Sequence, residues 1–215
     1  MYQFNGSLLT YIGKRKVSFM GDSITWNTNT EIAPIAAKWM TLIQGRIEIT
    51  AYNQGISGQQ TSTMVQNFAT TVLAYKPDIC FLEEACNDAL WWRDGNGTMA
   101  NIKNMAEQCL SHNIRPIIMC PTPGYYGAYW GEQNPTVASG KNLDWEGANY
   151  MPLVRTLEKQ YCAEKGITFV DLFTPFLNED GTQNLDLFAA DKLHPNTAGN
   201  AVIYNIVCGV LGLHV

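Results

Sequence analysis

Charge is scarce in this chain, since Asp, Glu, Lys and Arg make up only 15% of its 215 residues, against about 25% in an average soluble domain. The formal net charge is −5, and no basic cluster is longer than Lys14-Arg15-Lys16. A protein that binds nucleic acid needs a basic face to neutralise phosphates. The composition therefore argues against a nucleic-acid partner.

Long apolar runs are missing too. No stretch approaches the roughly 20 apolar residues that span a bilayer, so we expect no membrane partner. Residues 1–16 lack the charged start and apolar stretch of a secretory signal. The sequence therefore predicts a cytoplasmic protein by default, with a secreted or virion-associated protein as the alternative if the chain is a piece of a longer one.

Paired cysteines are absent as well, because none of the six forms a Cys-x-x-Cys motif. Most lie inside apolar periodic segments, where a free thiol packs like a small hydrophobic group. We therefore expect reduced thiols, with an oxidised framework as the alternative.

What the chain does contain is an alternation of short apolar runs and helix-period stripes. The length fits one domain over 1–215, with 1–16 as an N-terminal extension. The first predicted helix has Thr30 as its cap and apolar residues from Ile32 to Ile43, and the last covers 198–211. Strands are predicted at 17–20, 47–52, 79–82, 116–119 and 168–171. This alternation favours a parallel sheet with helices on both faces.

Polar residues gather behind the predicted strands, at the edge where sheets of this kind bind ligands. Ser23 follows the first strand, Gly58 the second and Asn87 the third, while Asp191 and His194 precede the last helix. The sequence therefore predicts that these residues converge on one cleft.

Three of these residues have the chemistry of nucleophilic catalysis. A Ser23 hydroxyl becomes a good nucleophile only when a base takes its proton. His194 is the candidate base, because His112 lies at a helix end and His214 is the penultimate residue. Asp191, three residues earlier, is placed to orient the imidazole.

An oxyanion also needs hydrogen-bond donors, and the candidates are the backbone N–H groups of Ser23 and Gly58 and the side-chain amide of Asn87. Each motif has a simpler interpretation: Gly-Asp-Ser as a turn, His-Pro as a helix boundary, and Asn-Asp as a turn or an N-cap. The ordered set, with each motif at the end of a different element, favours the catalytic interpretation.

The sequence resembles the SGNH hydrolase family, also called GDSL esterases and lipases. Four of the family's blocks occur in order, namely FMGDSIT at 19–25, NQGISG at 53–58, Asn87-Asp88, and DKLHPN at 191–196. The resemblance implies a flavodoxin-like three-layer α/β/α sandwich around a five-stranded parallel sheet. It also implies ester hydrolysis through an acyl-serine, without metal or cofactor. Ser23, Asp191 and His194 would form the triad, and Ser23, Gly58 and Asn87 the oxyanion hole.

The chain departs from the family pattern at a few positions. Ala85 stands where the third block usually opens with glycine, and Glu83 and Glu84 before it would repel anionic substrates if they lie near the cleft. Gln59 replaces a common aspartate, and Lys192-Leu193 replaces a common glycine-containing pair. None of these changes removes a catalytic group, so they bear on the substrate class.

Aromatic segments favour an acetyl ester on a carbohydrate. Two tryptophans follow the predicted oxyanion asparagine, and the connection over 121–149 is long and rich in Tyr and Trp. The alternative is that these aromatics pack on one another. The residues predicted to contact substrate are Asp22, Trp91, Trp92, Tyr125, Tyr126 and Trp130.

Other classes remain open beside an esterase for a small-molecule or oligosaccharide ester. One is a non-catalytic glycan-binding module of a larger assembly, which has no need of Ser23, Asp191 and His194 together. The others are a lipase, a thioesterase or an acyltransferase of the same fold. The sequence leaves the oligomeric state open.

Overall fold

A computed structural model describes residues 14–91, 94–123 and 148–214 of the chain. Its strands are β1 (Arg15–Gly21), β2 (Ile49–Gly55), β3 (Ile79–Glu83), β4 (Arg115–Cys120) and β5 (Thr168–Asp171). Its helices are α1 (Ser23–Trp26), α2 (Trp39–Gln44), α3 (Thr61–Thr71), α4 (Cys86–Trp91), α5 (Gly95–Ser111), α6 (Ala148–Lys165) and α7 (Thr197–Leu211). Short 3-10 helices lie at Ile35–Ala37, Leu73–Tyr75, Thr174–Phe176 and Leu185–Leu187.

The five strands form one parallel sheet in the order β2-β1-β3-β4-β5. Because every strand runs the same way, all five carboxyl ends meet at one edge of the sheet. The predicted α/β class with a five-stranded parallel sheet is confirmed.

Buried side chains alternate between the two faces of the sheet, as the twofold repeat of a strand requires. Phe19 and Phe81 join the apolar cluster under α2 and α7, with their ring centroids 4.8 Å apart. Met20 and Leu82 join the cluster under α3, α5 and α6 on the other face. The helices therefore form a layer on each side of the sheet.

The first predicted helix is wrong in extent. Instead of one helix capped by Thr30, the chain forms the 3-10 helix Ile35–Ala37, an extended Lys38, and then α2. The backbone N–H of Trp39 donates to Oδ1 of Asn200 in α7 at 3.0 Å. A long-range contact therefore takes a donor that a continuous helix would have used internally.

Two short helices near the site were not predicted. Asn87 and Asp88, for which a turn or an N-cap was the simpler interpretation, lie inside α4, and Ser23 begins α1. All six cysteines are buried free thiols. None of the described helices is long and apolar enough to cross a membrane.

Candidate active site

The turn from β1 into α1 places Ser23 at the first position of a short helix. Asp22 precedes it as the N-cap, and its Oδ1 accepts the backbone N–H of Ile24 at 2.8 Å. This capping bond fixes the direction in which the turn leaves the sheet. Ser23 itself is partly buried at the carboxyl edge.

Two glycines allow the strand ends to approach α1 closely. A Cβ added at Gly21 would lie 2.3 Å from Oγ1 of Thr25, and one added at Gly55 would lie 2.2 Å from the backbone nitrogen of Trp26. Neither distance is possible between atoms that are not bonded to each other. The absence of a side chain at Gly21 and Gly55 therefore sets where α1 sits on the sheet.

The loop before α7 is held in shape by Asp191. Its Oδ1 accepts the backbone N–H groups of Leu193 and His194, each at 3.0 Å, while Oδ2 lies 2.7 Å from Nδ1 of His194. Lys192 takes a left-handed backbone conformation, with φ of 58°, to close this tight turn. The carboxylate thus fixes both the loop and the plane of the imidazole.

The other imidazole nitrogen, Nε2 of His194, lies 2.8 Å from Oγ of Ser23. If Nδ1 donates its proton to Asp191, Nε2 is free to accept the Ser23 hydroxyl proton. The three side chains that the sequence predicted to converge therefore form one hydrogen-bonded chain, in the order Asp191, His194, Ser23.

Asp191 is ionised in this arrangement. Partial burial acts to raise its pKa, but the hydrogen bonds from the His194 ring, the His194 backbone and the Leu193 backbone outweigh burial and lower the pKa to about 2. A carboxylate beside Nδ1 favours a protonated Nδ1 and stabilises positive charge on the ring.

The predicted oxyanion donors lie on neighbouring elements. Gly58 sits in an exposed turn after β2 with φ of 76°, in the left-handed region that favours glycine, and a Cβ there would meet nothing within 4 Å. Asn87 in α4 is only 7% exposed. Its amide nitrogen donates to Oδ2 of Asp22 at 3.0 Å and to the carbonyl of Gln59 at 3.1 Å. In this state both amide hydrogens of Asn87 have partners within the protein.

Asp22 occupies a different place from the predicted substrate contact. Its side chain is fully buried under the site, where it caps α1 and accepts from Asn87. Burial raises its pKa to about 6, against the opposing effects of the Ile24 N–H and the nearby His194 and Asn87. Asp22 therefore orients other site residues from below.

Asp88 anchors the same region, although no role was predicted for it beyond its position beside Asn87. It accepts the backbone N–H of Thr61 at 2.9 Å, the Thr61 hydroxyl, and the Thr98 hydroxyl at 3.0 Å. These bonds join the starts of α3 and α5 to α4. Thr61 follows the Gly58 turn by three residues, so the bonds also hold the two predicted oxyanion segments together.

Glu83 and Glu84 do not face the cleft, contrary to the expectation that they repel anionic substrates. Both side chains are fully buried, and burial raises both pKa values well above the usual range, with further effects from nearby acidic groups. Burial therefore favours the protonated, uncharged form of both carboxyls. Ala85, in the place of the family glycine, takes a φ of 84°.

Most of the aromatic residues predicted to contact substrate lie outside the described residues. Trp91 is the last residue of α4, while Trp92, Tyr125, Tyr126 and Trp130 lie outside the described ranges. Among the described residues, no group of three or more His, Cys, Asp or Glu side chains is arranged to hold a metal ion.

The chain is similar to a known protein family, to a curated protein and to solved structures. The family model "GDSL-like Lipase/Acylhydrolase family" matches residues 19–202. The uncharacterized lipoprotein YqeF of Bacillus subtilis is 26% identical over 194 residues, which cover 81% of this chain and 77% of that protein.

Solved structures match over nearly the whole chain. A protein from Desulfitobacterium hafniense, assigned to the G-D-S-L family of lipolytic proteins, has a TM-score of 0.70 at 24% identity and covers 92% of this chain and 99% of its own. A catalytic mutant of an acetylxylan esterase from Geobacillus stearothermophilus has a TM-score of 0.68 at 20% identity, covering 95% and 98%. At these identities the likeness establishes the fold.

Proposed function

The chain belongs to the GDSL-like lipase/acylhydrolase family, and we propose that it is a serine esterase that hydrolyses short-chain esters, chiefly acetyl esters of a carbohydrate, through an acyl-serine intermediate. Family membership implies ester hydrolase activity. The observation that carries the proposed mechanism is the hydrogen-bonded chain from Asp191 through His194 to Ser23.

In the first half of the reaction, Oγ of Ser23 attacks the ester carbonyl carbon while its proton passes to Nε2 of His194. Asp191 stays ionised and stabilises the resulting imidazolium through Nδ1–H. When the tetrahedral intermediate collapses, the Nε2 proton goes to the departing alkoxide oxygen. The alcohol leaves, and the acyl group remains on Ser23.

In the second half, water attacks the acyl-serine, with Nε2 of His194 taking the water proton and then returning it to Oγ of Ser23. Acetate departs and the free enzyme is restored. General-base help of this kind contributes about 10²–10⁴-fold to the rate.

The oxyanion of each tetrahedral intermediate would accept from the backbone N–H groups of Ser23 and Gly58 and from the Asn87 amide. In the described part of the chain, neither backbone N–H donates to an acceptor. The Asn87 amide must release the Gln59 carbonyl, 3.1 Å away, before it reaches an oxyanion. Donors of this kind are each worth about 3–4 kcal/mol of transition-state stabilisation.

Two observations support a carbohydrate acetyl ester as the substrate. One of the matching structures is an acetylxylan esterase. In this chain, the aromatic segments after β3 and β4 begin at the carboxyl edge that carries Ser23. The proposed walls of the sugar site are Trp91, Trp92 and the segment 125–130.

The experiment that tests the catalytic assignment replaces the nucleophile. Ser23→Ala should lower kcat for p-nitrophenyl acetate by about 10⁴-fold or more while leaving the thermal unfolding midpoint near that of wild type. Ser111→Ala is the matched control, because Ser111 is an exposed serine at the end of α5. It should retain wild-type turnover.

Near wild-type turnover by Ser23→Ala, or labelling of another residue by a serine-directed phosphonate, would contradict the assignment. A series of p-nitrophenyl esters from two to twelve carbons tests the acyl group. Preference for eight or more carbons would favour a lipase, and tight glycan binding without turnover would favour a binding module.

A further inference from the structure

An exposed tryptophan lies on the same short helix as Ser23. Trp26 ends α1, three residues after Ser23, and is 39% exposed. The helical turn between them is closed by the bond from the Trp26 N–H to the Asp22 carbonyl at 2.7 Å. Residues three apart on a helix share a face, with their β-carbons about 5–6 Å apart. The side chains of Trp26 and Ser23 therefore leave the same face of α1.

The exposure of Trp26 is unusual for its type, since tryptophan side chains are highly buried on average. Trp39, in contrast, is fully buried, and its Nε1 donates to the carbonyl of Ile24 at 2.9 Å. For Trp26, no ring contact with another aromatic side chain is found in the described part of the chain. The exposed part of its indole is therefore available to a ligand.

The backbone of Trp26 is fixed at the end of β2. Its carbonyl accepts from the side-chain amide of Asn53 at 3.2 Å, and Gly55 approaches its backbone nitrogen without a side chain between them. Ile56 follows, 46% exposed, and its carbonyl accepts the Gln59 N–H to close the turn that contains Gly58. Trp26 and Ile56 thus form an apolar border on the β2 side of the site.

The chain that continues from this border is polar but uncharged. Residues 27–30 read Asn-Thr-Asn-Thr, and 28–30 are exposed. A long acyl chain would need apolar side chains beyond the indole. Short amides and hydroxyls beside a flat aromatic face instead match a ligand with apolar C–H faces and many hydroxyl groups.

We propose that Trp26 forms the subsite for the sugar that departs when Ser23 is acylated, with the sugar ring lying on the indole face and its hydroxyls directed toward residues 27–30. This inference rests on the proposed esterase function and names a binding residue for it. Ile56 borders the same subsite at the Gly58 turn.

The test compares a sugar ester with an ester whose alcohol is too small to reach the indole. Trp26→Ala should raise KM for acetylated xylotriose about tenfold more than it changes KM for methyl acetate. Trp26→Phe, which keeps a flat ring, should recover most of the loss. Trp26→Leu, which is apolar but not flat, should not.

Tyr75→Ala is the matched control. Tyr75 is 42% exposed, but it lies in the 3-10 helix before β3 and therefore at the opposite edge of the sheet. Its replacement should leave the ratio of the two KM values at the wild-type value.

The inference is overturned if Trp26→Ala leaves the ratio of the two KM values unchanged, or if it raises both KM values equally. It is also overturned if Trp26→Leu restores the wild-type KM for the sugar ester. A fourth contrary outcome is a wild type that hydrolyses methyl acetate but not acetylated xylotriose. The first three outcomes leave the proposed function standing, whereas the fourth also contradicts its carbohydrate substrate but not ester hydrolysis itself. A wild type that hydrolyses neither ester contradicts the proposed function itself.

Discussion

Gly55→Ala is a sharp test of how the strand ends position the nucleophile. The new Cβ would lie 2.2 Å from the backbone nitrogen of Trp26 and 2.7 Å from its Cα. Carbon and nitrogen atoms pack at about 3.5 Å or more, so α1 must move by about 1 Å. Because the clash involves backbone on both sides, no side-chain rotation relieves it.

The cost should appear in both stability and activity. Overpacking of this kind destabilises a protein by about 1–3 kcal/mol, which for a chain of this length lowers the melting temperature by about 3–10 °C. Ser23 lies on the helix that moves, and a misplacement of about 1 Å can lower turnover by about 100-fold. We therefore expect kcat to fall while the protein still folds.

Thermal unfolding followed by circular dichroism, together with kcat for p-nitrophenyl acetate, measures the two effects. Gly209→Ala is the control, since Gly209 is exposed in α7 and an added Cβ meets nothing within 4 Å. It should stabilise the helix by about 0.5–1 kcal/mol. Wild-type stability and wild-type turnover in Gly55→Ala would refute the close approach.

Three further predictions concern charged groups. With p-nitrophenyl acetate as substrate, His194→Ala should lower kcat by several orders of magnitude, and Asp191→Asn should lower it by less. Equal activity of His194→Ala and wild type would exclude His194 as the base. Asp171→Asn should lower the free energy of unfolding by about 1 kcal/mol at pH 7. Burial acts to raise the pKa of Asp171, but the partly exposed ion pair with Arg155 helps to hold it at about 2. This difference is present above about pH 4 and should vanish in urea unfolding as the pH falls toward 2. Burial raises the pKa of Glu158 to about 8, so its contribution to stability is present below about pH 4.5 and lost as the pH rises through 8. The free energy of unfolding of Glu158→Gln, measured relative to wild type in denaturant titrations, should therefore rise by about 2–4 kcal/mol between pH 5 and pH 9. If this difference does not change with pH, Glu158 is not a buried protonated acid.

The strands were predictable because their signal is local. The predicted strand 168–171 coincides with β5, and those at 17–20, 79–82 and 116–119 lie within β1, β3 and β4. The predicted runs in β1, β3 and β4 are short, buried and mainly apolar, whereas in β5 only Val170 is buried. The rule that parallel strands share a carboxyl edge placed Ser23 at the site, whereas Asp191 and His194, which precede α7, were assigned by their chemistry and by the family resemblance.

The errors arise where distant contacts decide the structure. The first helix breaks because the Trp39 N–H pairs with Asn200, 161 residues away, which no periodicity reveals. Asp88 reads as a turn residue, yet it is buried inside α4 because donors from Thr61 and Thr98 satisfy its carboxylate. The sequence likewise gave no sign that Glu84 is buried.

The buried acids have a consequence for the acid–base balance of folding. The formal net charge of −5 counts Glu83, Glu84 and Glu158 as ionised, but burial raises all three pKa values, that of Glu158 to about 8. Glu158 is therefore largely protonated at pH 7, and the native protein carries less negative charge than the formal count. Unfolding near neutral pH should then release protons to the buffer, including the one that Glu158 holds. Calorimetric unfolding enthalpies should consequently depend on the ionisation enthalpy of the buffer used, and the native isoelectric point should lie above the sequence value of about 5.1.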